Sequence, residues 1–157
     1  MKLLEYVFTK QQIRDKFFWF RLGLAIVMMG VLISQLFTFE DFYEVLTVAH
    51  GNLGVGSIVM ILVLLPIYEL GSVPSLLSMD LSKQFIRASA YVARSVSLLL
   101  VALSINGLVV APGESTALLG ATIGLPAHIL TTLGLIGYAA AIWFATRNQL
   151  VEAPTKK

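Results

Sequence analysis

Five ionisable side chains stand where an otherwise apolar sequence leaves least room for them: Arg21, His50, Glu69, Arg94 and His128. Each needs a partner, a cavity or a task, because a charge in hydrocarbon is costly. Glu69 between Arg21 and Arg94 would be an ion-paired staple across three segments, while each arginine alone can extend its head to the membrane surface. The functional use of the same carboxylate is to bind a proton or a cation. Pro66, one turn before it, frees a backbone carbonyl of the kind that ion sites in broken helices employ. The two imidazoles suggest different chemistry. Histidines on facing helices can ligate a b-type haem or border a quinone pocket, although a histidine near an interface more often only hydrogen-bonds there.

These residues are interesting because of the elements that carry them. The chain has 157 residues, 57% hydrophobic and 13% charged, with a mean hydropathy of +0.85. Soluble domains run about 45–50% apolar and about 25% charged, so the deficit of charge excludes an ordinary water-facing surface. The apolar residues form blocks at about 17–37, 53–73, 89–110 and 122–145. A block of about 20 residues matches the hydrocarbon thickness at 1.5 Å of rise per residue. The blocks lack the polar–apolar alternation of barrel strands, so four transmembrane helices are predicted. With no cysteine, disulfides, thiolate metal sites and the usual covalent haem attachment are excluded. Residues 1–16 mix both signs of charge, and no small-x-small cleavage pattern follows the first apolar block, so the first span is expected to be retained.

The positive charges predict direction. Lys2, Lys10, Arg14 and Lys16 precede the first span, Lys83 and Arg87 lie between the second and third, and Arg147, Lys156 and Lys157 follow the fourth. Arg21 and Arg94 lie near span ends on that same side. The opposite connections, 38–52 and 111–121, carry Glu40, Asp41, Glu44 and Glu114 but no Lys or Arg. Basic residues flanking spans stay in the cytoplasm. The expected fold is therefore an all-α, integral-membrane four-helix bundle over 17–146, N-in and C-in, with a cytoplasmic tail at 147–157. That topology places Arg21, Glu69 and Arg94 in one inner layer and the two histidines in one outer layer.

Two short interfacial amphipathic helices are expected outside the spans. Thr38 can cap one with Phe39, Phe42, Tyr43 and Leu46 on a single face, lying on the outer surface or simply capping the bundle there. Residues 3–16 form its inner counterpart, with Leu3, Leu4, Val7 and Phe8 towards lipid. Gly120, Gly124, Gly134 and Gly137 in the fourth span, and Gly51, Gly54 and Gly56 near the second, mark faces where helices can approach closely. Trp19, Tyr138 and Trp143 fit an aromatic belt. No phosphate loop, HExxH, GxSxG or paired carboxylates within one span point to catalysis. The connections are too short to hold a soluble catalytic domain.

Arg21-Leu22-Gly23-Leu24, then Gly30 and Phe42, then Leu65-Pro66-Ile67-Tyr68-Glu69-Leu70 and Arg87-Ala88 resemble the DoxX and MauE-like families of small four-span membrane proteins. Gln35 stands near where those families often place a lysine. The resemblance implies an accessory subunit of a membrane oxidoreductase or maturation system. Together with the residues, it frames three expectations. The first is a small non-catalytic subunit of a larger complex in a bacterial inner membrane, held among other membrane subunits or copies of itself, with lipid as its solvent and no nucleic-acid partner. The second is an oligomeric transporter or channel using Glu69, and the third an anchor for haem b or quinone using His50 and His128.

Overall fold

The computed structural model describes residues 15–77, 79, 81–115, 118 and 126–151. Five α-helices account for most of them: α1 (Lys16–Phe37), α2 (Phe39–His50), α3 (Val55–Leu76), α4 (Lys83–Val110) and α5 (Ile129–Val151). Of these, α1, α3, α4 and α5 are long and apolar enough to cross a membrane. The described residues contain no strand, only an isolated bridge between Ser115 and Pro126.

Local chemistry sets the helix ends. The Asp15 side chain accepts from the Phe17 amide at 2.9 Å and caps α1, and Ser82 caps α4 through the Phe85 amide, each satisfying an amide that the first turn leaves without an acceptor. Gly54 adopts φ +75° at the entry to α3, a backbone region that glycine enters without steric cost. Between α1 and α2 the chain bends at Thr38, whose hydroxyl donates to the Ser34 carbonyl at 2.8 Å.

The expected spans recur with informative shifts. α4 begins six residues before the apolar block and takes Lys83 and Arg87 into its first turns, since a helix need not end where the hydrocarbon does. α5 begins at Ile129 and runs on through Arg147 to Val151. Thus part of the expected fourth span precedes the helix, and Arg147 of the expected tail is helical. The amphipathic reading of residues 3–14, the Gly120 and Gly124 packing face, and the tail beyond Val151 lie outside the described residues.

The bundle is built inside out relative to a water-soluble one. α3 packs mainly on α4, α4 on α5, and α1 on α3 with a lighter contact to α5. Between 28 and 39% of the most apolar window of each long helix is buried, so most of the apolar side chains there, among them Ile26, Met60, Leu98 and Leu130, face outward. Meanwhile Gln35, Glu69, Ser72, Ser75, Ser97, Ser104 and Thr146 are buried. In lipid this is the favourable distribution: tails solvate the apolar exterior, and polar groups find partners between helices.

α2 caps the bundle, and two expectations about packing are corrected. Phe42, Leu46, Ala49 and His50 are buried against the bundle, whereas Phe39 and Tyr43 stay exposed, because the docked stripe runs i, i+4, i+7, i+8 rather than through all four large residues. Gly134 and Gly137 are exposed, and a Cβ on either would meet nothing within 4 Å, so they mark no helix contact among the described residues. Gly71 is tighter, since an added Cβ there would lie 3.4 Å from the Val92 Cγ1.

Candidate functional site

The polar interior begins with α3, which carries Pro66 and Pro74 inside its span. Each proline removes an amide donor and leaves the carbonyl four residues earlier without its usual partner. Around the second break the ladder is opened and stitched. Ser89 of α4 donates its hydroxyl to the Gly71 carbonyl at 2.6 Å and accepts from the Ser75 amide at 3.1 Å. It thereby stands between two groups that a regular helix would join directly. The Ser72 hydroxyl donates to the Glu69 carbonyl, and the Ser75 hydroxyl to the Ser72 carbonyl. Gln149 of α5 donates to the Ser75 carbonyl at 2.8 Å. This half of α3 is held by side chains from two neighbouring helices.

Glu69 opens that segment and is 0% exposed. α3 continues to Leu76, so Glu69 lies about two turns from the helix end. Its Oε1 accepts from Gln35 Nε2 of α1 at 3.2 Å. Gln35, also 0% exposed, donates through the same nitrogen to the Leu118 carbonyl at 2.9 Å. Leu118 is buried too, so the connection between α4 and α5 enters the core at that residue. Among the described residues, the buried Glu69 Oε2 and Gln35 Oε1 have no hydrogen-bond partner.

The expected three-residue cluster therefore divides. Neither arginine pairs with Glu69. Arg21 donates through Nε and Nη2 to the Ala145 carbonyl at 2.9 and 2.7 Å and lies 4.7 Å over the Phe17 ring. Arg94 donates to Thr146 Oγ1 at 2.9 Å and to the Trp143 carbonyl at 3.2 Å, and lies 4.7 Å over the Trp143 ring. Both guanidiniums are held by the last turns of α5. The side-chain partner of Glu69, by contrast, is Gln35 near the end of α1, which is itself bonded to the α4–α5 connection at Leu118, so the single inner layer does not form. Hydropathy set the expected depth of Glu69, but helix packing and a connection that reaches inward decide what meets it.

The histidines also separate. His50 is 0% exposed, and its Nδ1 lies 2.9 Å from Asn106 Oδ1 of α4. Its buried Nε2 has no partner among the described residues. His128 precedes α5 instead of lying inside it, and is exposed. Its Nδ1 accepts from the Leu130 amide at 3.3 Å, which is the work of a helix start. One imidazole thus belongs to the core and the other to a helix terminus. Among the described residues, no three His, Cys, Asp or Glu side chains gather as metal ligands.

Gln35 is the residue that sequence reading passed over as a partner. A signal existed, because an amide within an apolar span needs a hydrogen-bonding neighbour and Glu69 needs a donor. Their separation of 34 residues gives no periodic cue. No family model, curated protein or solved structure matches this chain.

Proposed function

We propose that this chain is a multi-pass protein of a bacterial inner membrane, with both termini on the cytoplasmic side, which moves a proton or another small cation with Glu69 as its binding group. Transport would take place in an assembly of several copies, because one bundle this small offers little room for a separate aqueous path. The observation that carries this reading is the fully buried Glu69 carboxyl, which among the described residues has Gln35 as its hydrogen-bond partner, neither Arg21 nor Arg94 bonded to it, and one oxygen unfilled. A carboxylate serving as an ion-paired staple would have one of these arginines to neutralise it, and both are bonded to α5. Ionisable groups facing a bundle interior are the usual markers of ion pathways. The orientation is supported by Lys16, Arg21, Lys83, Arg87 and Arg147 at one set of span ends, against Glu40, Asp41, Glu44 and Glu114 at the other.

Reconstitution into liposomes with an imposed proton or sodium gradient is the direct test. The expected outcome is ion flux with the native chain and loss of most of it with Glu69→Gln at equal incorporation. Equal flux from both proteins, or no flux from either, would overturn the reading.

The accessory-subunit reading is favoured by a different observation. α2 is anchored through Phe42, Leu46, Ala49 and His50, and so presents Glu40, Asp41 and Glu44 outward from a fixed base. A held acidic face can dock a basic partner, in keeping with the resemblance to DoxX and MauE-like proteins. Mild-detergent purification should then recover a second membrane protein with the native chain and lose it when the three acids are replaced by Ser. A lone monomer would rule this out.

A further inference from the structure

We infer that Gln35 is the second ligand of the Glu69 site, and that its occupant is a single proton shared between Glu69 Oε2 and Gln35 Oε1. The inference rests on the cation-binding reading of Glu69 and adds the partner residue and the chemical class of the ion.

Hydrogen-bond counting leads there. A primary amide has two N–H donors and one carbonyl acceptor. The Gln35 Nε2 contacts are a backbone carbonyl, Leu118 O, and a carboxyl oxygen, Glu69 Oε1. A backbone carbonyl only accepts, so the nitrogen must face it, and this fixes which way the amide points. Both donors are then spent. Two acceptors remain, Glu69 Oε2 and Gln35 Oε1, both buried and both without a partner. They belong to the two side chains already joined through Oε1 and Nε2.

An ionised carboxylate leaves this arrangement two donors short, at a cost that low-dielectric surroundings raise. One proton on Glu69 Oε2 changes the count: the acid O–H donates to Gln35 Oε1, and the acid and the amide close a ring of two antiparallel hydrogen bonds. No atom other than that proton is needed. A metal cation fits less well, because oxygen-bound cations draw on about six or more ligands, and Glu69 Oε1, Leu118 O and the Glu69 backbone carbonyl already accept hydrogen bonds. Groups that could compete for the proton are occupied or turned away. Tyr138 of α5, within electrostatic reach of Glu69, donates to the Leu24 carbonyl. Arg21 and Arg94 bond to α5, His50 meets Asn106, and Glu40, Asp41 and Glu44 of α2 are exposed.

The pair can be read without any transport assay. Infrared difference spectra of the full chain in lipid nanodiscs, exchanged between H2O and D2O at neutral pH, report protonated carboxyl groups by a deuterium-shifted C=O band. The native chain should show such a band, and Glu69→Gln should lose it. Gln35→Leu should keep it, displaced to the higher frequency of an acid with a weaker acceptor. The double exchange Gln35→Glu with Glu69→Gln, which rebuilds an acid–amide pair the other way round, should restore the native position. Identical spectra for the native chain and Glu69→Gln would overturn the inference. So would a band that bleaches when sodium replaces choline in the buffer, which would make the occupant a metal cation. A protonated pair in a protein without flux would refute only the transport reading. Glu69-dependent flux with no such band would refute only the shared proton.

Discussion

The Glu69–Gln35 pair and the Arg21/Arg94 rim use the same three charged residues that the sequence placed together, yet they solve opposite problems. Each arginine is half-buried, bonds to α5 and lies over an aromatic ring at 4.7 Å. A guanidinium has five donors and a flat cationic face, so carbonyls, a hydroxyl and a ring together can satisfy it. A carboxylate has no such repertoire, because helix backbone inside a span offers it almost no free donors. Glu69 has its single bond from Gln35 and one oxygen left over. A cation in a membrane helix can thus be settled by ordinary backbone, while a buried acid stays unsettled unless it binds something. That asymmetry marks Glu69, and not the arginines, as the group with capacity for chemistry.

The largest effect that would break this comparison is expected from Glu69→Lys. The substitution removes the acceptor for Gln35 and places an ammonium where no carboxylate waits. Burying an ion without a counter-charge costs several kcal/mol, so loss of the monodisperse peak in fluorescence-detected size-exclusion chromatography is expected. Glu69→Gln should keep that peak, since an amide–amide pair retains the same hydrogen-bond directions. If both variants collapse, Glu69 is a structural staple after all, and the contrast with the arginines disappears.

Gln35→Lys sharpens the comparison from the other side. It supplies Glu69 with the cation that the structure withholds, near the position where the resembling families often carry a lysine. The expected result is a folded protein in which Glu69-dependent flux is lost, because an ion-paired carboxylate has no orphan oxygen left for a proton. Thermal stability should change by about 1 kcal/mol or less, within the range measured for polar contacts between membrane helices. Undiminished flux would show that the empty oxygen is not what matters.

How much of this was legible beforehand divides along physical lines. Hydropathy reads the solvent, so it found four spans and placed the first to within one residue of α1. It differs from the helices at the starts of α4 and α5, since a helix can extend beyond lipid and the described residues 126–128 of the fourth block precede α5. Charge patterning identified the residues that needed explaining. It could not say which of Arg21, Arg94 and Gln35 would meet Glu69, because interhelical register is set by packing around Gly71, Ala90 and Ala93 rather than by depth alone. For the same reason charge and hydropathy place His50 in an outer layer without showing that it is buried. Its burial depends on how α2 docks, and nothing local to residue 50 encodes that.

A smaller effect tests the stitched half of α3. Ser89→Ala would leave the Gly71 carbonyl and the Ser75 amide facing each other across a gap opened beside Pro74. Losing a buried hydroxyl that bonds at both ends should cost about 1–2 kcal/mol, read as a lowered melting temperature of the detergent-solubilised protein. Ser89→Thr, which keeps the hydroxyl, should recover most of it. An unchanged melting temperature for Ser89→Ala would mean that the helix closes its own ladder once the serine is gone.

The smallest expected effect belongs to the rim. Arg21→Lys and Arg94→Lys preserve charge but lose the planar fork, so each variant should drop one of two hydrogen bonds and weaken its contact with Phe17 or Trp143. Exposed cation–π contacts are worth about 0.5–1 kcal/mol, and a lysine ammonium still reaches the interface by extension. Each single change should therefore lower stability by less than about 1 kcal/mol and leave Glu69-dependent flux intact. The two should add almost fully when combined, because Arg21 and Arg94 bond to different atoms of α5, Ala145 O on one side and Thr146 Oγ1 with Trp143 O on the other. Flux that falls in step with either substitution would instead join the rim to the core carboxyl. The arginines would then act on Glu69 through α5, and the division between a settled cation and an unsettled acid would have to be redrawn around that helix.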